Sequence, residues 1–114
     1  LLDKTCDYLN IPFRYEIYSK MGLSLPPIHE PGDWALNISK AIGADCYVNP
    51  LGGMELFKMK NFRRVGIDLK FLKINLAEYS QHGIAFESGL SIIDVMMFNQ
   101  PSVIRKMLDN YELI

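Results

Sequence analysis

Apolar residues recur every three or four positions in several stretches of this chain, which is the pattern of helices with one buried face. The predicted helices cover residues 1–10, 34–42 and 54–65, the last as one helix or two short ones, and two further segments that begin at Ser91 and Pro101. Asp33 is expected to cap the second helix and Gly43 to end it, since aspartate accepts N-terminal hydrogen bonds and glycine tolerates the left-handed stop.

Three shorter stretches have the composition or the alternation of β-strands: residues 13–18, 46–48 and 69–74. Helices separate them, and this order is typical of parallel strands joined by right-handed crossovers. The predicted fold class is therefore α/β, with a small parallel three-stranded sheet and flanking helices in one domain over residues 1–114. A sheet this thin with open edges is also what one half of a larger α/β domain would have.

The first candidate site follows the second predicted strand, where Gly52 and Gly53 precede a helix start. Ligands of open parallel sheets bind where strands end and helices begin, and N–H groups there favour anions. The two glycines therefore indicate either a phosphate cradle or a turn that needs positive φ. Asn49 suits a sugar hydroxyl or an ordinary turn, and Tyr47 suits a ligand platform or core packing.

The second candidate site combines a loop with the start of a helix. Ser91 and Asp94 have the three-residue spacing of a capping box, which by itself explains both residues. The alternative is that they hold a substrate amine, with Asp94 as general base. Tyr79 and Gln81 lie in the predicted loop 75–89, where they contribute to a site or pin the loop to the domain.

Composition removes several classes of function. With 49% hydrophobic residues and a formal charge of -1, the chain is expected to be a folded domain without a nucleic-acid groove. No apolar run approaches the roughly 20 residues of a membrane-spanning helix. Cys6 and Cys46 are expected to be reduced, and without a signal peptide the predicted location is cytoplasmic. His29 and His82 lack neighbours at metal-ligand spacing, so no metal site is predicted.

Three motifs, in the same order along the chain, resemble the WbqC-like protein family. They are residues 43–53 (GADCYVNPLGG), residues 62–71 (FRRVGIDLKF), and residues 79–81 (YSQ) leading to residues 90–99 (LSIIDVMMFN). The chain departs from its relatives at residues 86–89 (FESG), where Val-Pro often precedes the last motif.

The resemblance implies a role in bacterial O-antigen or surface-polysaccharide biosynthesis. The activity suggested for the family is transfer of glycine, or a related aminoacyl group, to an amino sugar. Family members are longer, and this chain resembles their carboxy-terminal half. A part of a transferase is therefore one expectation. A non-catalytic module that binds sugars or nucleotides in polysaccharide assembly is the second, and a half-domain that only completes a sheet is the third.

In the transferase hypothesis, Asp94 is the catalytic base that takes a proton from the sugar amine. The predicted substrate-binding residues are Tyr47, Asn49, Gly52, Gly53, Tyr79, Gln81 and Ser91. The expected substrate is a small molecule or sugar nucleotide, or a lipid-linked amino sugar, with the polar or phosphate part near the two glycines. Cofactor, acceptor sugar and oligomeric state are not predicted.

Overall fold

The structure is a computed structural model that describes residues 1–83 and 85–114. Within them the chain is an α/β protein with a three-stranded sheet, as its sequence predicts. The elements are α1 (Leu2–Leu9), α2 (Pro31–Ala41), β1 (Cys46–Pro50), α3 (Met59–Arg64), β2 (Asp68–Ile74), α4 (Ile92–Phe98), α5 (Pro101–Leu108) and β3 (Tyr111–Leu113), with 3-10 helices at Tyr18–Lys20 and Leu51–Leu56. Ile84, inside the predicted loop 75–89, lies outside the described residues.

The chain divides into two compact units. The helical unit comprises Leu1–Tyr15 and Ile74–Tyr111 and contains α1, α4 and α5. The sheet unit comprises Glu16–Lys73 and Glu112–Ile114 and contains α2, α3, β1 and nearly all of β2. Every helix in the described part of the chain is too short or too polar to cross a membrane.

The sheet is mixed, which corrects the prediction that all strands are parallel. β1 and β2 are parallel, in a register that pairs Cys46 with Asp68 and Asn49 with Phe71. On the other side of β2, Phe71 and Ile114 exchange both backbone hydrogen bonds, at 2.7 and 3.0 Å. A residue pair that exchanges both bonds belongs to an antiparallel ladder. β3 was not predicted because three residues are too few to show an alternating pattern.

The strand predicted at residues 13–18 is wrong. These residues contain no strand, and the 3-10 helix Tyr18–Lys20 begins within them. The alternating side chains of Phe13, Tyr15 and Ile17 are all exposed, and the Phe13 and Tyr15 rings stack at 5.2 Å. Alternation describes an extended chain, but a strand also needs a partner backbone to complete its hydrogen bonds.

The core of the sheet unit lies between β2 and α3. Ile67, Leu69 and Phe71 recur at the strand period and are buried together with Phe62 of α3. Residues 54–65, predicted as one helix or two, form two short helices. Phe57 adopts an extended conformation between them, and its ring packs against Phe62 and Phe71.

The helical unit is held together by α1 and α5. Leu9 and Ile104 are buried. Arg105 Nη1 donates a hydrogen bond to the Leu9 carbonyl oxygen at 3.1 Å, which satisfies a carbonyl at the end of α1 that has no partner inside the helix. Pro101 occupies the first turn of α5, as its missing N–H predicts.

Asp33 is in the first turn of α2 and is not the N-cap that the sequence suggests. The helix begins three residues earlier because Pro31 fits its first position and Glu30 is the N-cap. The Asp33 carboxylate accepts the backbone N–H groups of His29 and Glu30 at 2.9 and 3.0 Å. These two hydrogen bonds lower the pKa of Asp33, since they stabilise its charged form.

Asp33→Asn is expected to reduce stability at pH 7 by an amount that disappears in acid. The pKa of Asp33 is lower in the folded chain than in the unfolded one. Its stabilising contribution is therefore present above the unfolded value, near pH 4, and is lost as the pH falls through the folded value. Urea denaturation of both proteins at pH 7 and pH 3 measures this. An equal difference at the two pH values contradicts the assignment.

Candidate functional site

The predicted site residues divide between the two units. Those of the helical unit are Tyr79, Gln81, Ser91 and Asp94. Those of the sheet unit are Tyr47, Asn49, Gly52 and Gly53. Each group forms contacts of its own.

Asp94 is held by the loop that precedes α4. Ser91 is the N-cap of α4, and its Oγ accepts the N–H of Ile93 at 3.2 Å, so half of the predicted cap is present. The other half is absent among the described residues. Instead, Asp94 Oδ2 accepts hydrogen bonds from Tyr79 Oη at 2.5 Å and from Gln81 Nε2 at 3.1 Å. The capping-box expectation is wrong for Asp94 because these two donors reach its carboxylate.

Gln81 fixes this arrangement from a buried position, with 7% of its surface exposed. The backbone N–H of Glu87 donates to Gln81 Oε1 at 2.8 Å. This bond determines which end of the amide is the oxygen, so the Nε2 group must face the other way. Nε2 lies 3.1 Å from Asp94 Oδ2, 3.2 Å from the Glu87 carbonyl oxygen and 3.3 Å from Tyr79 Oη.

Tyr79 supplies the second donor, and its ring lies near two phenylalanine rings. Its ring lies 5.3 Å from that of Phe86, edge to face, and 6.4 Å from that of Phe98. The hydrogen bond to the Asp94 carboxylate raises the pKa of Tyr79 above its usual value, and burial adds to the shift. At neutral pH the phenol therefore keeps its proton and remains a donor to Asp94.

The charge on Asp94 has only neutral partners in the part of the chain that the structure describes. No lysine, arginine or histidine there forms an ion pair with it. Both protein donors reach Oδ2, and no donor from residues 1–83 or 85–114 reaches Oδ1. The carboxylate is partly buried, where an uncompensated charge is costly. The site can therefore receive a cationic or hydrogen-bond-donating group at Oδ1.

A cavity of about 440 Å³ adjoins this cluster in the helical unit. Tyr79 and Phe86 line it, together with Ile92 and Val95 from the same helix as Asp94. Its volume lies in the range of small-molecule sites.

The sheet-unit residues form a second local network. Tyr47 Oη donates to Asn49 Oδ1 at 3.0 Å, and Asn49 Nδ2 donates to the Pro50 carbonyl oxygen at 2.8 Å. The Tyr47 ring packs against Phe57 and Phe62 at 5.6 and 5.8 Å. Burial raises the pKa of Tyr47. The tyrosine thus contributes to the core, and its hydroxyl orients the asparagine amide.

Gly52 and Gly53 lie in the 3-10 helix Leu51–Leu56, and neither has a positive φ. The expectation of a turn that requires left-handed glycine is therefore wrong. A Cβ on Gly53 would displace the Asn49 side-chain amide from its present position. A Cβ on Gly52 would meet open space. The phosphate-cradle interpretation of the pair stays a prediction.

A second cavity, of about 430 Å³, lies in the sheet unit and was not anticipated from the sequence. Trp34, Tyr47 and Phe57 line it. Trp34 is 46% exposed and packs edge to face on Tyr18 at 5.5 Å. The spacing of apolar residues predicts a helix over 34–42 with one buried face, but only the tertiary structure shows that Trp34 borders an open cleft. Within the described residues, no His, Cys, Asp and Glu side chains gather as a metal site.

The comparison with protein families identifies the class of protein. The model of the WbqC-like protein family matches residues 1–106 of the 114. The match covers nearly the whole chain, so the chain belongs to the WbqC-like protein family. No curated protein and no solved structure matches it.

Proposed function

We propose that the chain binds the amine of an amino sugar at Asp94 and takes part in transferring an aminoacyl group, such as glycine, to that amine. The observation that carries the proposal is the partly buried Asp94 carboxylate, whose two protein donors are neutral and reach one oxygen. A primary ammonium is the complementary ligand, because it brings the missing positive charge and donates hydrogen bonds to Oδ1.

In the proposed reaction the amine arrives as an ammonium ion. Asp94 Oδ1 accepts one proton, which frees the nitrogen lone pair. The nitrogen then attacks the acyl carbonyl carbon and the new C–N bond forms. The leaving group departs with the electrons of the bond that breaks and takes the second proton that the nitrogen loses. General base catalysis of this kind contributes typically about 10²- to 10⁴-fold. Tyr79 and Gln81 are positioning residues, since both act through Asp94.

The family's association with bacterial O-antigen and surface-polysaccharide genes supports an amino sugar as the acceptor. The proposed setting is the cytoplasm of a bacterium, where activated sugars and aminoacyl donors are made. Under the proposal, Ser91 contributes by starting α4 and so placing Asp94 in its first turn.

Calorimetric titration with D-glucosamine and with N-acetyl-D-glucosamine tests the amine site. The two sugars share the same ring, but the second carries a neutral acetamido group in place of the ammonium group. We expect saturable binding of glucosamine and at least tenfold weaker binding of the acetylated sugar, because acetylation removes the charge that Asp94 recognises. Equal binding of both sugars, or binding of neither, contradicts the proposal.

A non-catalytic sugar- or nucleotide-binding role is the second candidate, and the cleft beside Trp34 favours it. A half-exposed tryptophan next to a cavity provides a flat apolar surface on which a sugar ring or a base can stack. In this candidate, Asn49, Gly52 and Gly53 hold the polar part of the same ligand.

Trp34 is the only tryptophan of the chain, so its fluorescence reports on this cleft. If the cleft binds sugar nucleotides, UDP-N-acetylglucosamine is expected to change the Trp34 emission in a saturable way. Tyr15→Phe, a change at an exposed ring of the helical unit, should leave that titration unchanged. A flat emission signal while glucosamine still binds excludes the second candidate and leaves the first.

A further inference from the structure

We infer that the amino sugar is carried on an aliphatic chain and not on a nucleotide, and that this chain enters the cavity of the helical unit. The inference rests on the proposed function for the sugar, while the cavity and its walls support the aliphatic carrier independently.

The cavity is a cleft among three helices, with α1, α4 and α5 each contributing to its walls. Thr5, Asn75 and Tyr79 are its polar side chains, and no charged residue or histidine lines it among the residues that the structure describes. Apolar cavities bind apolar ligands in preference to water, because water there would lose its hydrogen bonds.

A nucleotide carrier does not fit the charges around this cavity. A diphosphate needs cationic side chains or an array of free N–H groups. The described walls contain no lysine or arginine. Charged side chains hydrogen-bond to residues that line the cavity: Arg105 donates to the carbonyl oxygen of Leu9, and Asp94 accepts from Tyr79. The Arg105 guanidinium serves the end of α1, and the Asp94 carboxylate would repel phosphate. An uncharged aliphatic chain needs no cationic side chains and is not repelled by the Asp94 carboxylate.

The mouth of the cavity is also apolar. Several residues that line the cavity are at the same time exposed to solvent: Leu2, Ile74, Leu76 and Leu90. An apolar rim around an apolar cleft suits a ligand that is longer than the cleft. Tyr79 connects the cavity with the Asp94 carboxylate, since it lines the cavity and donates a hydrogen bond to Asp94. The arrangement points to one amphipathic ligand with its amine at Asp94 and its chain in the cleft.

The two cysteines provide a direct test. Cys6 lines the cavity and is partly buried, whereas Cys46 is exposed at the start of β1 in the sheet unit. Labelling by N-ethylmaleimide, followed by peptide mass spectrometry, gives a separate rate for each thiol. 1-Decanol at about ten times its dissociation constant is expected to slow Cys6 labelling about tenfold, because the rate follows the unoccupied fraction. Cys46 should keep its rate, and UDP-glucosamine, which retains the free amine, should not slow Cys6.

Two variants test whether decanol protects Cys6 by binding in this cavity. Ala77→Leu adds bulk to the cavity wall and should reduce the protection of Cys6 by decanol. Ala41→Leu makes the same change at an exposed position of α2 and should leave the protection intact. Asp94→Asn should also retain it, because decanol has no amine. Loss of glucosamine binding with decanol protection retained therefore separates failure of the proposed function from failure of this inference.

The inference is overturned if decanol protects neither thiol or both, or if UDP-glucosamine protects Cys6 as well as decanol does. It is also overturned if Cys6 protection rises with protein concentration in the absence of ligand while sedimentation shows a dimer. In that case a second copy of the chain occupies the cleft.

Discussion

Asp94→Asn is expected to abolish glucosamine binding and to lower the rate of aminoacyl transfer by about 10² to 10⁴, the range for loss of a general base. Asparagine has nearly the same shape and can still accept the hydrogen bonds from Tyr79 and Gln81. It cannot accept the proton of the ammonium group or balance its charge. Calorimetry measures the binding, and a glycine-transfer assay with the amino sugar measures the rate.

Asp68→Asn is the matched control, since Asp68 is an exposed carboxylate on β2. It should change neither binding nor rate. The melting temperature of Asp94→Asn should stay close to that of the unaltered chain, because the loop retains its donors and its Gln81–Glu87 bonds. A large fall in melting temperature with glucosamine binding preserved would show that Asp94 serves only the structure.

Phe62→Ala is expected to lower the free energy of unfolding by about 3–5 kcal/mol, the usual cost of truncating a buried phenylalanine. Phe62 is 1% exposed and belongs to the core of the sheet unit. Its truncation deletes ring contacts to Tyr47 and Phe57 and leaves a cavity in the core. Because small domains are stable by only about 5–15 kcal/mol, this loss is a large fraction of the stability.

Phe13→Ala provides the comparison for that measurement. Phe13 is 40% exposed and its ring contacts Tyr15. Urea denaturation followed by circular dichroism should show a much smaller loss for it, since a large part of its side chain is already exposed to water. Similar losses of unfolding free energy in the two variants would mean that Phe62 contributes no more to stability than an exposed ring.

Several elements of the fold could be predicted because their signals are local. Helical spacing located α1 and α2, Pro101 marked the start of α5, and the parallel strands followed from their separation by helices. β3, which was not predicted, and the strand wrongly predicted at residues 13–18 show the limit of prediction from local signals. Strand formation depends on whether another backbone lies alongside, and the partner of Ile114 is Phe71, far away in sequence.

The sequence also predicts some features of the candidate site and misses others. The motifs selected Tyr79, Gln81, Ser91 and Asp94 as residues of interest. The spacing between Ser91 and Asp94 predicted the wrong partner for the carboxylate, since Tyr79 lies fifteen residues before it. Neither cavity has any counterpart in the sequence pattern, because residues from several elements line each of them.

The sequence by itself determined the fold class, the starts of the final two helices and the membership in the WbqC-like family. The fold class and the helix starts depend on periodicity and capping, which are interactions among residues close together in sequence. The family membership depends on motifs and their order, which are read directly from the chain. Only the tertiary structure decided the antiparallel third strand, the partners of Asp94 and the apolar cleft beside Tyr79. Each of these depends on groups that are distant in sequence and meet only when the chain has folded.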